Sequence, residues 1–186
     1  PGQNLPGVGL MSDVPDDAVA FRLENLRERH RDLHRAERRS EMAAVGGDAQ
    51  QHATVYLDEN GNFSREESPI WMDSSTTEEV AVLDGHFGSA LQERTGSPAI
   101  ERFAAAQIKK FIRENPDSYA RTKRIHLLSS FLTSFLTDTD APIDIGDGAG
   151  MNLLNLKTLE WDKEICDFVE AGLIEKLPRI YRPGDE

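Results

Sequence analysis

The hydrophobic pattern changes period near residue 75, and that change constrains the fold more than any other feature of the chain. Before it, "MAAVGG", "ATVYLD" and "SPIWMD" are short apolar runs separated by polar stretches, which reads as sheet. The run Asp58–Glu59–Asn60–Gly61–Asn62 is a strong turn signal, with Asn60–Gly61 suited to a primed hairpin turn. After it, Val80, Leu83, Phe87 and Leu91, then Ile100, Phe103, Ile108, Phe111 and Ile112, recur at helical spacing. Ser75 with Glu78 reads as a capping box, and Ser97 with Pro98 as a cap followed by a first-turn proline. The stretch 121–137, "RTKRIHLLSSFLTSFLT", reads as one largely buried helix, "MNLLNLKTLEW" as a strand or strand-like turn, and "DKEICDFVEAGL" as a last helix. Residues 1–12 are Gly/Pro-rich, and Val19, Leu23, Leu26, His30 and Leu33 predict a helix after Asp13. Strands mixed with helices in this way place the chain in the α/β class.

Composition narrows the function classes. The 186 residues carry 33 acidic against 21 basic side chains, a net charge of −12. This argues against a broad nucleic-acid footprint, which needs a basic face. Seven arginines between Arg22 and Arg39 could bind anions, but interleaved acidic residues fit a solvated helix surface better. No run approaches the roughly 20 apolar residues of a membrane span, and the first residues lack the apolar core of a secretory signal. The single cysteine, Cys166, precludes an internal disulfide and reads as a buried small apolar residue. The expectation is a cytoplasmic protein without membrane or nucleic-acid partners.

Three constellations could carry chemistry. Gln50, Gln51 and His52 lie in a loop between two predicted strands, where amide and imidazole groups could bind hydroxyls or satisfy the turn's own backbone. Asp138, Asp140, Asp144 and Asp147 precede Gly148 and Gly150. They could hold Mg²⁺, supply one general base, or form a polar loop, and their spacing does not fit an EF-hand. The alternation Ile143–Asp144–Ile145 suggests a short strand ending at Asp147. In "WMDSSTT", Trp71 could stack on a sugar face or lie in the core, and Asp73 could bind hydroxyls or simply open a helix. By itself Arg102 reads as a surface ion-pair residue.

Taken in order, "GDAQQHATVYLD", "PIWMDSSTT", "TGSPAIERF", "ENPDSYARTKRI" and "APIDIGDGAGMNLLNLKTLEWDKEI" resemble the FGGY carbohydrate kinases, and within them the xylulokinase branch. The likeness runs from about Leu5 to about Pro183. It implies a ribonuclease-H-like domain of the actin-like ATPase superfamily, incomplete at its N-terminus, with residues 1–186 forming part of the sugar-binding domain and the ATP-binding carboxy-terminal domain absent. It further implies that Gln51 and His52 touch ketose hydroxyls, that Arg102 binds the ketose, and that Asp73 follows the sugar-side strand. By the same resemblance Asp147 is the catalytic base and also contacts the sugar. ATP and Mg²⁺ are the implied cofactors, bound mostly by regions outside this chain. A sugar substrate and the carboxy-terminal domain are the implied partners, with homodimerisation open.

The sequence departs from the family pattern in three ways. The phosphate-facing Asp-Gly-Thr/Ser opening motif is absent. Ala49 and Ala53 replace glycines of the sugar loop, and Met151 stands where many bacterial members have threonine. The function implied for the full-length parent is transfer of the ATP γ-phosphate to a ketose or polyol, D-xylulose first, with this chain alone inactive. A non-catalytic sugar-binding or interaction module, a kinase for ribulose, glycerol, gluconate or erythritol, and a metal nuclease are the alternatives, the last weighed down by the net charge.

Overall fold

The computed structural model describes residues 20–22, 49–182 and 184. Strand β1 (Ala20–Arg22) runs antiparallel to β3 (Glu67–Pro69), with Phe21 opposite Ser68. The helix predicted after Asp13 is therefore wrong at 20–22, where pairing with a distant strand overrides the local period. The rest of that segment, the arginine run and "MAAVGG" lie outside the described residues.

Strand β2 (Thr54–Leu57) pairs antiparallel with β4 (Arg124–Leu127). Side chains alternate across this ladder. Tyr56 and Ile125 face the main core with Leu83, Leu91, Ile108 and Leu153, whereas Val55 joins Ala53, Leu128 and Phe131 on the other side. Strand β4 is only four residues long, and its Arg124–Ile125–His126–Leu127 alternation runs without a turn signal into "LSSFLTSFLT", so the sequence reads as one helix. The predicted helix over 121–137 is in fact β4 followed by α5 (Leu128–Thr137).

Between these strands run α1 (Thr77–Phe87), α2 (Ser89–Thr95), α3 (Ala104–Glu114) and α4 (Pro116–Ala120). The stripe Leu83–Phe87–Leu91 is buried as expected, but Gly88, at φ 53°, divides it between α1 and α2. Neither predicted cap forms. Thr76, not Ser75, precedes α1, and its hydroxyl bonds to the Glu101 carbonyl at 2.5 Å. Helix α3 starts at Ala104 rather than Pro98 because long-range bonds at both ends hold 96–103 in an irregular path. Asn152 Nδ2 donates to Thr95 Oγ1 and to the Ser97 carbonyl, each at 3.1 Å, and the Ala105 amide donates to the Met151 carbonyl at 3.0 Å.

Strand β5 (Ile143–Asp144) leads into α6 (Ile145–Ala149), so the predicted strand stops three residues before Asp147. Strands β6 (Leu154–Asn155) and β7 (Glu160–Trp161) form the expected turn-like hairpin, and α7 (Lys163–Val169) the last α-helix. The tail returns as β8 (Ile180–Tyr181), parallel to β5. Asp162 knits this end together. Its buried carboxylate caps α7 through the Ile165 amide and accepts from Arg94 and Asn155. Among the described residues no helix is long and apolar enough to cross a membrane.

Candidate sugar site

His52 sits at φ 67°, in the left-handed region that costs most L-residues about 1–2 kcal/mol. This turn residue stands two positions before the buried strand β2. The imidazole lies against Phe103, ring centroids 4.8 Å apart, and its Nδ1 is 3.2 Å from the Gly150 carbonyl oxygen. A carbonyl only accepts, so Nδ1 carries the proton and Nε2 presents a lone pair. Burial lowers the His52 pKa, and Arg102 pushes in the same direction. The Gly150 carbonyl and Asp147 oppose them without prevailing. The ring is therefore a neutral hydrogen-bond acceptor.

Asp147 is presented by α6, and its main chain is held by Asp144. That side chain caps the helix, its Oδ1 accepting from the amides of Gly146 at 2.7 Å and Asp147 at 3.1 Å. The Asp147 carboxylate is half-buried, and Ser129 donates its hydroxyl to Oδ2. The glycines that follow have distinct reasons. A Cβ at Gly148 would lie 3.3 Å from Leu154 Cδ2, and one at Gly150 would lie 2.8 Å from His52 Cε1. Gly150 is thus the condition for His52 to reach the backbone of this loop.

Arg102 follows Glu101, whose carbonyl is gripped by Thr76 and by Gln107 Nε2 at 3.1 Å. Its guanidinium lies 5.6 Å from the Phe103 ring centroid, so it shares with His52 a single aromatic support. The structure therefore brings His52, Arg102 and Asp147 together, with exposed Gln51 next to His52. It engages Asp73 differently. The Asp73 Oδ1 accepts from the amide of Ser75 at 2.7 Å and from its hydroxyl, which makes Asp73 the turn before α1. Trp71 is 52% exposed, which removes the core reading.

Ala53 is fully buried among Val55, Leu128 and Phe131, with Ala49 packed on the same cluster. The methyl groups of both residues thus fill core space. Cys166 is buried as expected, and burial pushes its thiol up to about 12, which disqualifies it as a nucleophile at neutral pH. Sequence reasoning missed Ser129, Phe103 and Asn152. Ser129 lies inside an apolar run, and only tertiary structure reveals its partner. It also lines an open cleft of about 210 Å³ with Thr133, Asp144 and Tyr181. Among the described residues no group of three or more His, Cys, Asp or Glu is arranged to hold a metal ion.

The family model for the N-terminal domain of the FGGY family of carbohydrate kinases matches residues 24–185. A xylulose kinase of Rattus norvegicus is 37% identical, over 74% of this chain and 30% of its own length. Xylulose kinase 2 of Arabidopsis thaliana is 36% identical, over 76% of this chain and 29% of its own. The chain therefore spans less than a third of the length of these relatives. Among solved structures, a ligand-bound xylulose kinase from Lactobacillus acidophilus superposes with TM-score 0.68 at 20% identity, covering 87% of this chain and 32% of that one. A gluconate kinase from the same organism gives 0.68 at 23%, over 77% and 29%. At such identities the structural likeness establishes the α/β, ribonuclease-H-like fold, while the family rests on sequence. The chain belongs to the FGGY family of carbohydrate kinases, with residues 24–185 corresponding to its N-terminal domain.

Proposed function

We propose that this chain forms the sugar-binding side of a cytoplasmic ATP-dependent ketose kinase, with D-xylulose as substrate and xylulose 5-phosphate as product. The observation that carries the reading is the grouping of a neutral acceptor (His52), a cation (Arg102) and a half-buried carboxylate (Asp147) around one aromatic ring and one glycine loop. Identity with xylulose kinases supports the choice of ketose.

In this reading His52 Nε2 accepts from one sugar hydroxyl, the exposed Gln51 amide engages another, and Arg102 donates to the ketose oxygens. Matching each hydroxyl matters because an unpaired polar group in a closed site is costly. Asp147 contacts the sugar through the carboxylate oxygen that Ser129 leaves free. It takes the proton of the attacking hydroxyl as the new oxygen–phosphorus bond forms. Asp73 acts at the margin, through the turn it closes before α1. ATP supplies the phosphoryl group, the bond between its γ-phosphorus and the β,γ-bridging oxygen breaking as ADP leaves. The residues described give a divalent metal no ligand set, and none is assigned to it or to the nucleotide.

The test is coupled ATP turnover by the full-length protein on a panel of ketoses and polyols, repeated with Asp147→Asn. Pentulose-dependent turnover that falls at least about a hundredfold in the variant supports the reading. No turnover with any pentulose sinks the substrate, and full activity of the variant sinks the base. For this chain alone, calorimetry should detect xylulose binding without phosphoryl transfer.

A further inference from the structure

We propose that Ser129 is a positioning residue for Asp147, an inference that rests on the site reading above. Helix α6 has five residues, too few to hold its own shape by helical cooperativity. Asp144 anchors its backbone, but an aspartate with a fixed Cα still turns about two side-chain bonds. The Ser129 hydroxyl removes that freedom by donating to Oδ2.

Ser129 is itself fixed relative to His52. The Leu128 amide, one residue before it, donates to the Ala53 carbonyl at 2.9 Å, one residue after His52. His52 Nδ1 reaches the Gly150 carbonyl, and the Gly150 amide returns to the Asp147 carbonyl at 3.1 Å. The bonds close a ring: His52 to Gly150, Gly150 to Asp147, Asp147 to Ser129, and through Leu128 and Ala53 back to His52. Ser129 is the one side chain in this ring that grips the carboxylate. With Oδ2 committed, Oδ1 is the oxygen left for a substrate hydroxyl. Displacing a reacting group by about 1 Å costs roughly a hundredfold, so one hydroxyl has leverage here.

The experiment uses the full-length kinase and D-xylulose. Ser129→Ala should lower kcat/KM about ten- to a hundredfold with little change in Tm, and Ser129→Thr, which keeps the hydroxyl, should recover most of it. In an Asp147→Ala background, Ser129→Ala should weaken D-xylulose binding no further, since a residue acting through Asp147 has nothing left to position. Wild-type kinetics for Ser129→Ala, a loss that threonine does not restore, or an equal additional loss of binding in the Asp147→Ala background would each overturn the inference while leaving the site reading intact. Wild-type activity of Asp147→Ala would instead remove the site reading, and this inference with it.

Discussion

His52 Nδ1 and the Gly150 carbonyl oxygen lie 3.2 Å apart although 98 positions separate them in the chain. That bond joins the loop before β2 to the loop after α6. It fixes the imidazole tautomer and ties the acceptor to the segment that carries the carboxylate. Its geometry depends on the absence of a side chain at residue 150.

Gly150→Ala isolates this dependence. Gly150 has φ −70° and ψ 0°, a conformation that alanine adopts freely, so the backbone is not strained by the change. The new Cβ would meet His52 Cε1 at 2.8 Å and Nδ1 at 3.1 Å, and the ring must move. Sugar affinity should fall about tenfold, roughly 1.4 kcal/mol, with Tm lowered by only a few degrees. Calorimetry and thermal unfolding check the two halves, and unchanged affinity would refute the coupling.

The protonation of His52 sets a pH dependence. Burial holds its pKa below the ordinary histidine value, so the ring stays neutral from pH 8 down through 6.5. As pH falls through the lowered pKa, Nε2 gains a proton and ceases to accept. Sugar binding by this chain should be flat above pH 6.5 and weaken below it. Titrations between pH 8 and 5 would contradict this if affinity rose on acidification.

His126 should make stability acid-sensitive. It is buried opposite Val55, its Nε2 lies 3.3 Å from Asp140, and its Nδ1 lies 3.1 Å from the Ser130 hydroxyl. Burial pushes its pKa down to about 4 against the attraction of Asp140, with Arg124 reinforcing the shift. The unfolded chain takes up this proton near pH 6.5 and the folded chain does not until about pH 4. Stability from this group is therefore full above 6.5 and falls as pH drops to about 4, by on the order of 3 kcal/mol. Urea unfolding at pH 7 and pH 4.5 should show a smaller loss for His126→Asn than for the natural chain. Equal losses would exclude His126 as the source.

Arg94 and Asp162 test the far end of the domain. Burial alone would raise the Asp162 pKa, but hydrogen bonds from Arg94, Asn155 and the Ile165 amide hold it below the usual range. Removing Arg94 strands a carboxylate that is only 3% exposed, a situation that costs about 3 kcal/mol. Arg94→Leu should therefore unfold at lower urea at pH 7. The deficit should shrink in Asp162→Asn, where no charge is left unpaired.

Parts of this fold and site were legible because their causes are local. The "QQH" loop, the β6–β7 turn and the burial of Cys166 follow from turn chemistry and apolar spacing over a few residues. Asp147 stood out because glycines flank it. The failures share an opposite cause. Strand β4 alternates over only four residues and meets helix α5 with no Gly, Pro or Asn between them, so no local signal marks the boundary. Ser97–Pro98 carries every local mark of a helix start, yet Asn152, 55 positions away, captures the Ser97 carbonyl. Asp73 reads equally as a hydroxyl binder or a helix entry, and its carboxylate closes a turn with Ser75.

By itself the sequence determined the α/β class, the loops that bear polar groups, and a family resemblance carried by five ordered motifs. Tertiary structure alone decided which of those groups meet: that His52, Arg102 and Asp147 converge, that Gly150 must be glycine for them to do so, and that Ser129 holds the carboxylate. The reason is the range of the interactions. Period and turn signals arise between residues a few positions apart, whereas a hydrogen bond across 98 residues leaves no mark on the local pattern at either end.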